Sequence, residues 1–337
     1  MLPLEYWVAG VMLVALTIYV LAGGADFGGG VWDMFATGPR AKAQRQTIAN
    51  AIGPIWEANH VWLILVVVLL FVAFPLAFAS ISTALHIPLT IMLIGIVLRG
   101  SSFIFRTYDD QSDEVQRRWS RIFAGASVIT PIMLGICVGA IASGNIRVNL
   151  ERGIVETDFF SAWLAPFPFA IGFFTLALFA FLAAVYLTLE TDDPALQDDF
   201  RRRALGAAVA VGLFALLSFL FSRSGAPLIQ QGLAEMWWSL PFQLITGAVA
   251  ISAIAAIWTR YYHLARILSM VQVTLILWGW AFAQFPYLVG PELTFTNSAT
   301  SDAVLRPLLM ALAAGAVLLI PSMWYLLRVF KGDKQTC

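Results

Sequence analysis

Long apolar runs, separated by short polar stretches, follow one another along the 337-residue chain. A helix needs about 20 mostly apolar residues to span the hydrocarbon core of a bilayer. Nine runs satisfy this requirement, at residues 4–26, 57–79, 81–105, 122–144, 160–189, 204–222, 237–258, 265–288 and 304–328. The pattern therefore predicts an all-α integral membrane protein with nine transmembrane helices.

The connections between these runs are short, so residues 1–337 are interpreted as a single membrane domain. The second and third runs are joined by a very short turn at Ser80. The fifth run is over-long and has Pro166 and Pro168 near its start, and proline disrupts the interior of a helix. We expect that helix to begin after the prolines, behind an interfacial segment.

The composition favours a membrane protein, because 60% of the residues are apolar and only 12% are charged. A soluble domain carries about 25% charged residues. The net charge of zero gives no sign of a nucleic-acid partner, so we expect the partners to be lipid or another apolar subunit. Cys137 lies in an apolar run and Cys337 is the last residue, which indicates neither a disulfide framework nor a metal site. The first run lacks a basic leader and a cleavage site, which predicts a retained helix.

The basic residues predict the orientation of the bundle, because Lys and Arg in short loops stay on the cytoplasmic side. With the N-terminus outside, fifteen basic residues fall on the inner side and four on the outer side, and Arg99 lies within the third run. The inner set is Arg40, Lys42, Arg45, Arg106, Arg117, Arg118, Arg121, Arg201, Arg202, Arg203, Arg260, Arg266, Arg328, Lys331 and Lys334, and the outer set is Arg147, Arg152, Arg223 and Arg306. This asymmetry predicts a periplasmic N-terminus and a cytoplasmic C-terminus.

Three charged residues within or beside the first three runs are candidates for function. Asp26, Glu57 and Arg99 are expected at a similar depth near the cytoplasmic face, and charges in hydrocarbon are costly and usually functional. In one interpretation, Glu57 and Arg99 form a structural ion pair between helices two and three, and Asp26 is exposed at the interface. In the other, the three residues form a proton-conducting site, because desolvation and a nearby cation tune a carboxylate in opposite directions.

The residues around Glu57 favour the second interpretation. In a helix, Glu57 and His60 are three residues apart and share a face, and Trp56 lies four residues before His60. The first run ends in the glycine-rich segment GGADFGGG, residues 23–30. Its Gly24 and Gly28 form a GxxxG step, which predicts close packing between helices.

Histidine is scarce, with His60, His86 and His263 as the whole supply. They fall near the inner end of the second run, near the outer end of the third and in an inner loop, so no two form an obvious axial pair for a haem. We expect a packed or hydrogen-bonded ring at His86 and a solvated ring at His263. Any redox chemistry is therefore expected on another chain, with no metal or cofactor bound by this one.

Three sequence blocks, GADFGGGVWD, IGPIWEANHVWLI and LRGSSFIFRTYDD, together resemble subunit II of the cytochrome bd quinol oxidases. The corresponding patterns in that family are DGFDxG, PxWDGNxVWL and an arginine before an FxxR-like stretch. The residues that match the family patterns are Asp26, Trp56, Glu57, Asn59 and Arg99.

The resemblance implies a quinol-oxidising, oxygen-reducing complex in the bacterial inner membrane. Subunit I would carry haems b and d, or haem b only, and this chain would help to conduct cytoplasmic protons to the oxygen-reducing site. The resemblance further implies two four-helix bundles, at 1–144 and 160–288, with a peripheral ninth helix at 304–328. A structural quinone or lipid and a small single-span accessory subunit are compatible with the same resemblance.

The chain departs from the family pattern at two points. The first aspartate of DGFDxG is replaced by Ala22 or a nearby glycine. The WDG of the second pattern is Trp56-Glu57-Ala58 in this chain. The proton path implied by the resemblance therefore consists of Asp26, Glu57, Arg99, His60, Asn59 and Trp56, with His60 as a compensating group.

Two other functional classes remain alternatives to an oxidase subunit. A proton-coupled secondary transporter would bury carboxylates in the same way, but it would more often break helices in both halves around a site near the midplane. A purely scaffolding membrane subunit would need no tuned acid.

Overall fold

The computed structural model describes residues 3–53, 56–108 and 113–331. Helices account for most of these residues, and two short antiparallel hairpins complete the fold. The elements in chain order are α1 (Leu4–Met34), α2 (Ala41–Ile52), α3 (Trp56–Ala73), α4 (Pro75–Ala84), α5 (His86–Tyr108), α6 (Asp113–Ser143), β1 (Val148–Asn149), β2 (Ile154–Val155), α7 (Pro166–Leu187), α8 (Pro194–Gly225), α9 (Pro227–Ala234), α10 (Ser239–Trp258), α11 (Tyr262–Gln284), β3 (Tyr287–Val289), β4 (Leu293–Thr294), α12 (Phe295–Ser298) and α13 (Asp302–Lys331).

Nine of the helices in the described ranges are long and apolar enough to cross a membrane: α1, α3, α5, α6, α7, α8, α10, α11 and α13. This confirms the predicted all-α, nine-span fold. Lys334 and Cys337 lie outside the described residues. The share of each apolar window that is buried ranges from 67% in α7 to 6% in α13, so α7 is central and α13 lies at the periphery. The division into two four-helix bundles stays a prediction.

The two ends of the bundle are distinct. One end, which we call the α2 end, carries α2 and is joined across the chain by the Arg40–Asp199 salt bridge. The opposite end, which we call the hairpin end, carries both β hairpins and is joined by the Arg147–Glu292 salt bridge.

The first helix is longer than predicted. α1 continues through the glycine-rich segment to Met34, so Asp26 lies inside the helix rather than at its end. Close packing explains this extension: a Cβ at Gly24 would come 2.7 Å from the Phe179 ring of α7, and one at Gly28 would come 1.9 Å from the Phe179 carbonyl oxygen. The predicted packing role of the GxxxG step is thereby confirmed.

The second predicted run divides into two helices. α3 ends at Ala73, and α4 starts at Pro75, because proline has no N–H to continue the hydrogen-bond ladder and is favoured in a first turn. The predicted turn at Ser80 is wrong, since Ser80 is buried within α4 and its hydroxyl donates to the Leu76 carbonyl. The third span accordingly begins at His86.

The predicted start of the fifth span is also wrong. α7 begins at Pro166, so both prolines belong to its first turn instead of preceding it. The preceding residue, Ala165, is extended with φ −141° and ψ 156°, as the steric demand of proline requires.

Candidate functional site

A buried polar group connects three of the predicted site residues. The Asn59 side-chain amide of α3 donates a 2.7 Å hydrogen bond to Asp26 Oδ2 of α1. Asp26 is 5% exposed, Asn59 3% and Arg99 of α5 2%. Asp26 and Tyr19 both interact electrostatically with Arg99. We call these four residues the buried centre.

Aromatic rings enclose the cation of the buried centre. The Arg99 guanidinium carbon lies 4.7 Å from the centroid of the Phe27 ring and 5.4 Å from that of Phe123. Such contacts stabilise a desolvated guanidinium by about 2 kcal/mol or more. The buried charge is therefore supported both by a carboxylate and by two π faces.

His60 and Trp56 lie beside the buried centre. The His60 ring centroid is 6.0 Å from that of Tyr19, 5.8 Å from Phe27 and 6.3 Å from Trp56. Trp56 also packs against Gly100 of α5, where a Cβ would come 3.0 Å from its ring. His60 thus packs against Tyr19 and Phe27, whose ring also faces Arg99, and Trp56 packs against His60.

Glu57 does not belong to the buried centre. Its side chain is exposed, and the structure records no salt bridge between Glu57 and Arg99 within the described residues. The interpretation of a structural Glu57–Arg99 pair is therefore wrong, as is the expectation that Asp26 is exposed at the interface. The physical reason is that the α1 helix continues past Asp26, which brings this acid rather than Glu57 to the arginine.

Glu57 instead lines a large cavity at the α2 end, which we call the vestibule. The cavity measures ≈ 1270 Å³, and its walls come from α2, the start of α3, the end of α5 and the start of α6. Its lining residues are Lys42, Arg45, Gln46, Ala49, Asn50, Gly53, Trp56, Glu57, Phe103, Ile104, Arg106, Gln116 and Ser120. Trp56 lines the vestibule and packs edge-on against His60, with ring centroids 6.3 Å apart.

A second buried ion pair lies between the buried centre and the α2 end. Arg106 of α5 donates to both oxygens of Asp33 of α1 at 3.1 and 3.0 Å, and the two side chains are 13% and 2% exposed. The charge distribution places Arg106 among the cytoplasmic loop residues, and no sequence motif points to Asp33. The missed signal is the shared spacing, since Asp33 follows Asp26 by seven residues and Arg106 follows Arg99 by seven, two helical turns in each case.

The two halves of the chain are joined at the α2 end by a polar cluster. Arg40 donates two hydrogen bonds to Asp199, at 2.8 and 2.6 Å, and Gln44 donates a third at 2.7 Å. These hydrogen bonds and the Asp199 charge raise the pKa of the Arg40 guanidinium. Arg203 completes the cluster by donating to Gln44 Oε1 at 2.7 Å. The cluster fixes α2, and with it one wall of the vestibule, against α8.

The remaining histidines lie away from this region, as expected. His86 shares a 3.0 Å hydrogen bond with the Thr83 carbonyl and packs edge-on against Phe159 with ring centroids 4.8 Å apart, and His263 is exposed. Within the part of the chain that the structure describes, no group of three or more His, Cys, Asp or Glu side chains is placed to hold a metal ion.

A second cavity lies in the second half of the chain. It measures ≈ 370 Å³ and lies between α7, α8, α9, α10 and α11. Its lining is mostly apolar, but the Ser218 hydroxyl and the Trp280 indole N–H find no hydrogen-bond partner among the described residues. The structural quinone or lipid that the sequence resemblance admits stays a prediction.

Comparison with known proteins gives a consistent result. The family described as cytochrome bd terminal oxidase subunit II matches residues 4–330. A Bacillus subtilis protein whose name carries the words cytochrome bd menaquinol oxidase subunit II is 23% identical over 329 residues, or 94% of this chain and 93% of that protein. Cytochrome bd ubiquinol oxidase subunit 2 of Bacillus subtilis is 30% identical over 212 residues, or 60% of each chain. The solved structure of bd oxidase from Geobacillus thermodenitrificans has the same fold, with a TM-score of 0.81, 22% identity and coverage of 99% of this chain and 100% of that one.

Proposed function

This chain belongs to the cytochrome bd terminal oxidase subunit II family, and we propose that it conducts protons from the cytoplasm toward the oxygen-reducing site of subunit I. Membership makes the protein a multi-pass membrane subunit of a quinol oxidase complex, an oxidoreductase in which subunit II works with a subunit I partner. The proposal concerns what this subunit adds to the complex. We place it in the bacterial inner membrane with the α2 end in the cytoplasm, as the distribution of basic residues indicates.

The observation that carries the proposal is the pairing of an exposed acid with a buried one. Glu57 lines the vestibule, where water can exchange protons with it, whereas Asp26 is 5% exposed in the buried centre. Asn59, two residues after Glu57 on α3, is hydrogen-bonded to Asp26. We propose that a proton taken up by Glu57 passes the Trp56 and His60 rings on its way to Asp26.

Each group in the path has a chemical task. Glu57 exchanges its proton with vestibule water, and the half-buried His60 can accept a proton at one ring nitrogen while it releases one from the other. Asp26 then holds the proton in a dry surrounding, and Arg99 stabilises the carboxylate once the proton has left. Asn59 fixes the Asp26 carboxyl in place through its 2.7 Å hydrogen bond.

An exposed apolar face on α3 supports transfer toward the partner. Val61, Ile64, Val68 and Phe71 follow Glu57 at spacings of three and four residues, and their exposed fractions are 45%, 60%, 46% and 58%. This spacing is the one with which two helices pack against each other. We assign this face to subunit I, which puts Glu57 at the cytoplasmic end of the subunit interface.

We assign all haem to subunit I and none to this chain. The three histidines are far apart in the fold, since His86 lies at the hairpin end, His263 at the α2 end and His60 beside the buried centre. This chain expressed alone should show no Soret absorption above background, and a stoichiometric haem in the isolated subunit would contradict the assignment.

The test of proton conduction is the pair Glu57→Gln and Glu57→Asp in the purified two-subunit complex. The glutamine keeps the shape and removes the proton, so turnover should fall while the yield of complex stays normal, because the Glu57 side chain is exposed. The aspartate keeps the carboxyl group and should retain most of the activity. A purely scaffolding role predicts normal turnover in both variants. A proton-coupled transporter would instead purify as a stable protein without a haem-bearing partner.

A further inference from the structure

Three arginines surround one aspartate at the α2 end of the second half of the chain. The Asp198 carboxylate of α8 lies 3.1 Å from a guanidinium nitrogen of Arg201 and 2.8 Å from one of Arg202. Arg260, in the turn after α10, lies 3.5 Å from the same carboxylate. We call these four residues the arginine corner. Its three guanidinium groups and one carboxylate sum to a surplus of positive charge.

Arg201 is bound within the fold, whereas Arg202 and Arg260 face outward. Arg201 Nε and Nη2 donate to the carbonyls of Ile257 and Trp258 at 3.1 Å, which caps the end of α10. The side chains of Arg202 and Arg260 are 74% and 64% exposed. A guanidinium carries several N–H donors in a planar fork. One contact with the carboxylate therefore leaves most donors of the two outward arginines for a ligand.

The backbone at Arg260 has a conformation that favours glycine. Its φ is +65°, in the left-handed region. The Arg260 N–H donates to the Ile257 carbonyl at 3.3 Å, and the next N–H, of Tyr261, donates to the Ala256 carbonyl at 2.9 Å. These two bonds form the motif in which a helix ends on a left-handed residue, most often glycine, because a Cβ crowds this backbone. An arginine at this strained position indicates a task for its side chain.

The arginine corner lies at the level of the lipid headgroups. The apolar span of α10 ends at Trp258, two residues before Arg260. Trp258 and Tyr261 are 66% and 68% exposed, and such rings concentrate at the boundary between headgroups and hydrocarbon. Deeper in the membrane, Ile251 of α10 and Val209 of α8 are 70% and 73% exposed. Acyl chains below the corner therefore meet an apolar surface.

The position of α8 and α10 in the bundle favours lipid over subunit I as the neighbour of the corner. α3 contacts α1, α1 contacts α7, and α7 contacts α8. Two helices thus separate α8 from the α3 face that is assigned to subunit I. The ligand of the corner is therefore expected to come from the membrane.

We propose that the arginine corner binds the phosphate group of an anionic phospholipid, whose acyl chains lie along α8 and α10. The phosphodiester carries a negative charge that offsets the surplus, and its oxygens accept hydrogen bonds from Arg202 and Arg260. Anionic lipids are attracted by basic groups beside a membrane helix, whereas a zwitterionic lipid brings no net charge. The site is separate from the proposed proton path through Glu57 and Asp26.

The variants that test the proposal remove the outward guanidinium groups and keep the fold. Arg260→Gly preserves the left-handed turn, because glycine is the favoured residue there. Arg202→Gln keeps a long polar side chain on α8. The matched control is the double variant Arg118→Gln/Arg306→Gln, which also removes two arginines from exposed salt bridges, each arginine side chain being 73% exposed.

Thermal unfolding of the complete purified complex, stripped of lipid in a neutral detergent, gives the first measurement. Added phosphatidylglycerol should raise the Tm of the wild type and of the control equally, and Arg202→Gln/Arg260→Gly should show roughly half that rise or less, because a ligand stabilises only the state that binds it. Phosphatidylcholine or inorganic phosphate at the same concentration should not reproduce the rise in the wild type.

Native mass spectrometry of the complex extracted from the membrane supplies the second measurement. The Arg202→Gln/Arg260→Gly complex should retain one anionic phospholipid fewer than the wild type and the control. Equal Tm rises in this variant and the wild type, or equal counts of bound anionic lipid, would overturn the proposal. A rise from inorganic phosphate as large as that from phosphatidylglycerol would overturn the assignment to lipid.

Discussion

Asn59 of α3 donates a 2.7 Å hydrogen bond to the Asp26 carboxylate of α1, and both side chains are buried. This bond attaches the helix that carries the exposed Glu57 to the helix that carries the buried acid. The hydrogen bond thus links the first turns of α3, where Glu57 lines the vestibule, to the buried carboxylate of α1.

Replacing Asn59 by Leu should destabilise the complex, because it removes the donor to a buried carboxylate. Hydrogen bonds to charged groups contribute about 1.5–3 kcal/mol, so thermal unfolding of the purified complex should report a loss of that order. The control is Asn50→Leu, since Asn50 is exposed on α2 and bonds only Gln46 among the described residues; its effect should stay within about 0.5 kcal/mol. Equal effects from the two variants would contradict the role given to Asn59.

Replacing Asp33 by Asn should be more costly than any surface substitution at the α2 end. It leaves Arg106, which is 13% exposed, without its carboxylate, and breaking a buried pair in this way costs about 3–5 kcal/mol. The matched control is Asp302→Asn, which breaks the exposed pair with Arg306 and should cost about 1 kcal/mol or less. The yield and thermal stability of the complex measure both variants, and a harmless Asp33→Asn would show that this pair does not support the site.

The fold was largely accessible from the sequence, and the site was accessible only in part. The nine spans can be predicted from the length of the apolar runs, because the thickness of the hydrocarbon core fixes the length of a spanning helix. The ends of two helices cannot, because Pro75 and the glycines around Asp26 set them through local geometry and helix contacts. Glu57 is exposed because it lines the cavity between α2, α3, α5 and α6. The position of α2 in the fold, and therefore this cavity, cannot be read from the spacing of residues in the sequence. The Asp33–Arg106 pair was accessible in principle, through the seven-residue spacing that it shares with Asp26 and Arg99.

Ile64→Trp should weaken the association with subunit I. Ile64 lies in the middle of the apolar α3 face assigned to the partner and is 60% exposed, so a larger side chain there would clash with a packed helix. Val209→Trp is the control, because Val209 of α8 is 73% exposed and is assigned to lipid, which accommodates the change. Copurification of subunit I with each variant is the measurement. Equal recovery of subunit I would refute the assignment of the α3 face.

Reporter fusions should confirm the orientation. Fusions after residues 45, 118 and 202 fall at the α2 end and should read cytoplasmic, and fusions after residues 150 and 296 fall at the hairpin end and should read periplasmic. A periplasmic signal at residue 118 would reverse the orientation, and with it the side from which protons are taken up.

The most direct test of the central claim is the rate of proton uptake from the cytoplasmic side. Inside-out vesicles expose the α2 end to the bath, and a pH indicator in the bath follows uptake after a pulse of oxygen to the quinol-reduced complex. Glu57→Gln should slow this uptake roughly tenfold, equivalent to a barrier higher by about 1.4 kcal/mol. Glu114→Gln, which alters another exposed carboxylate at the same end, should take up protons at the wild-type rate. Wild-type uptake by Glu57→Gln would contradict the account.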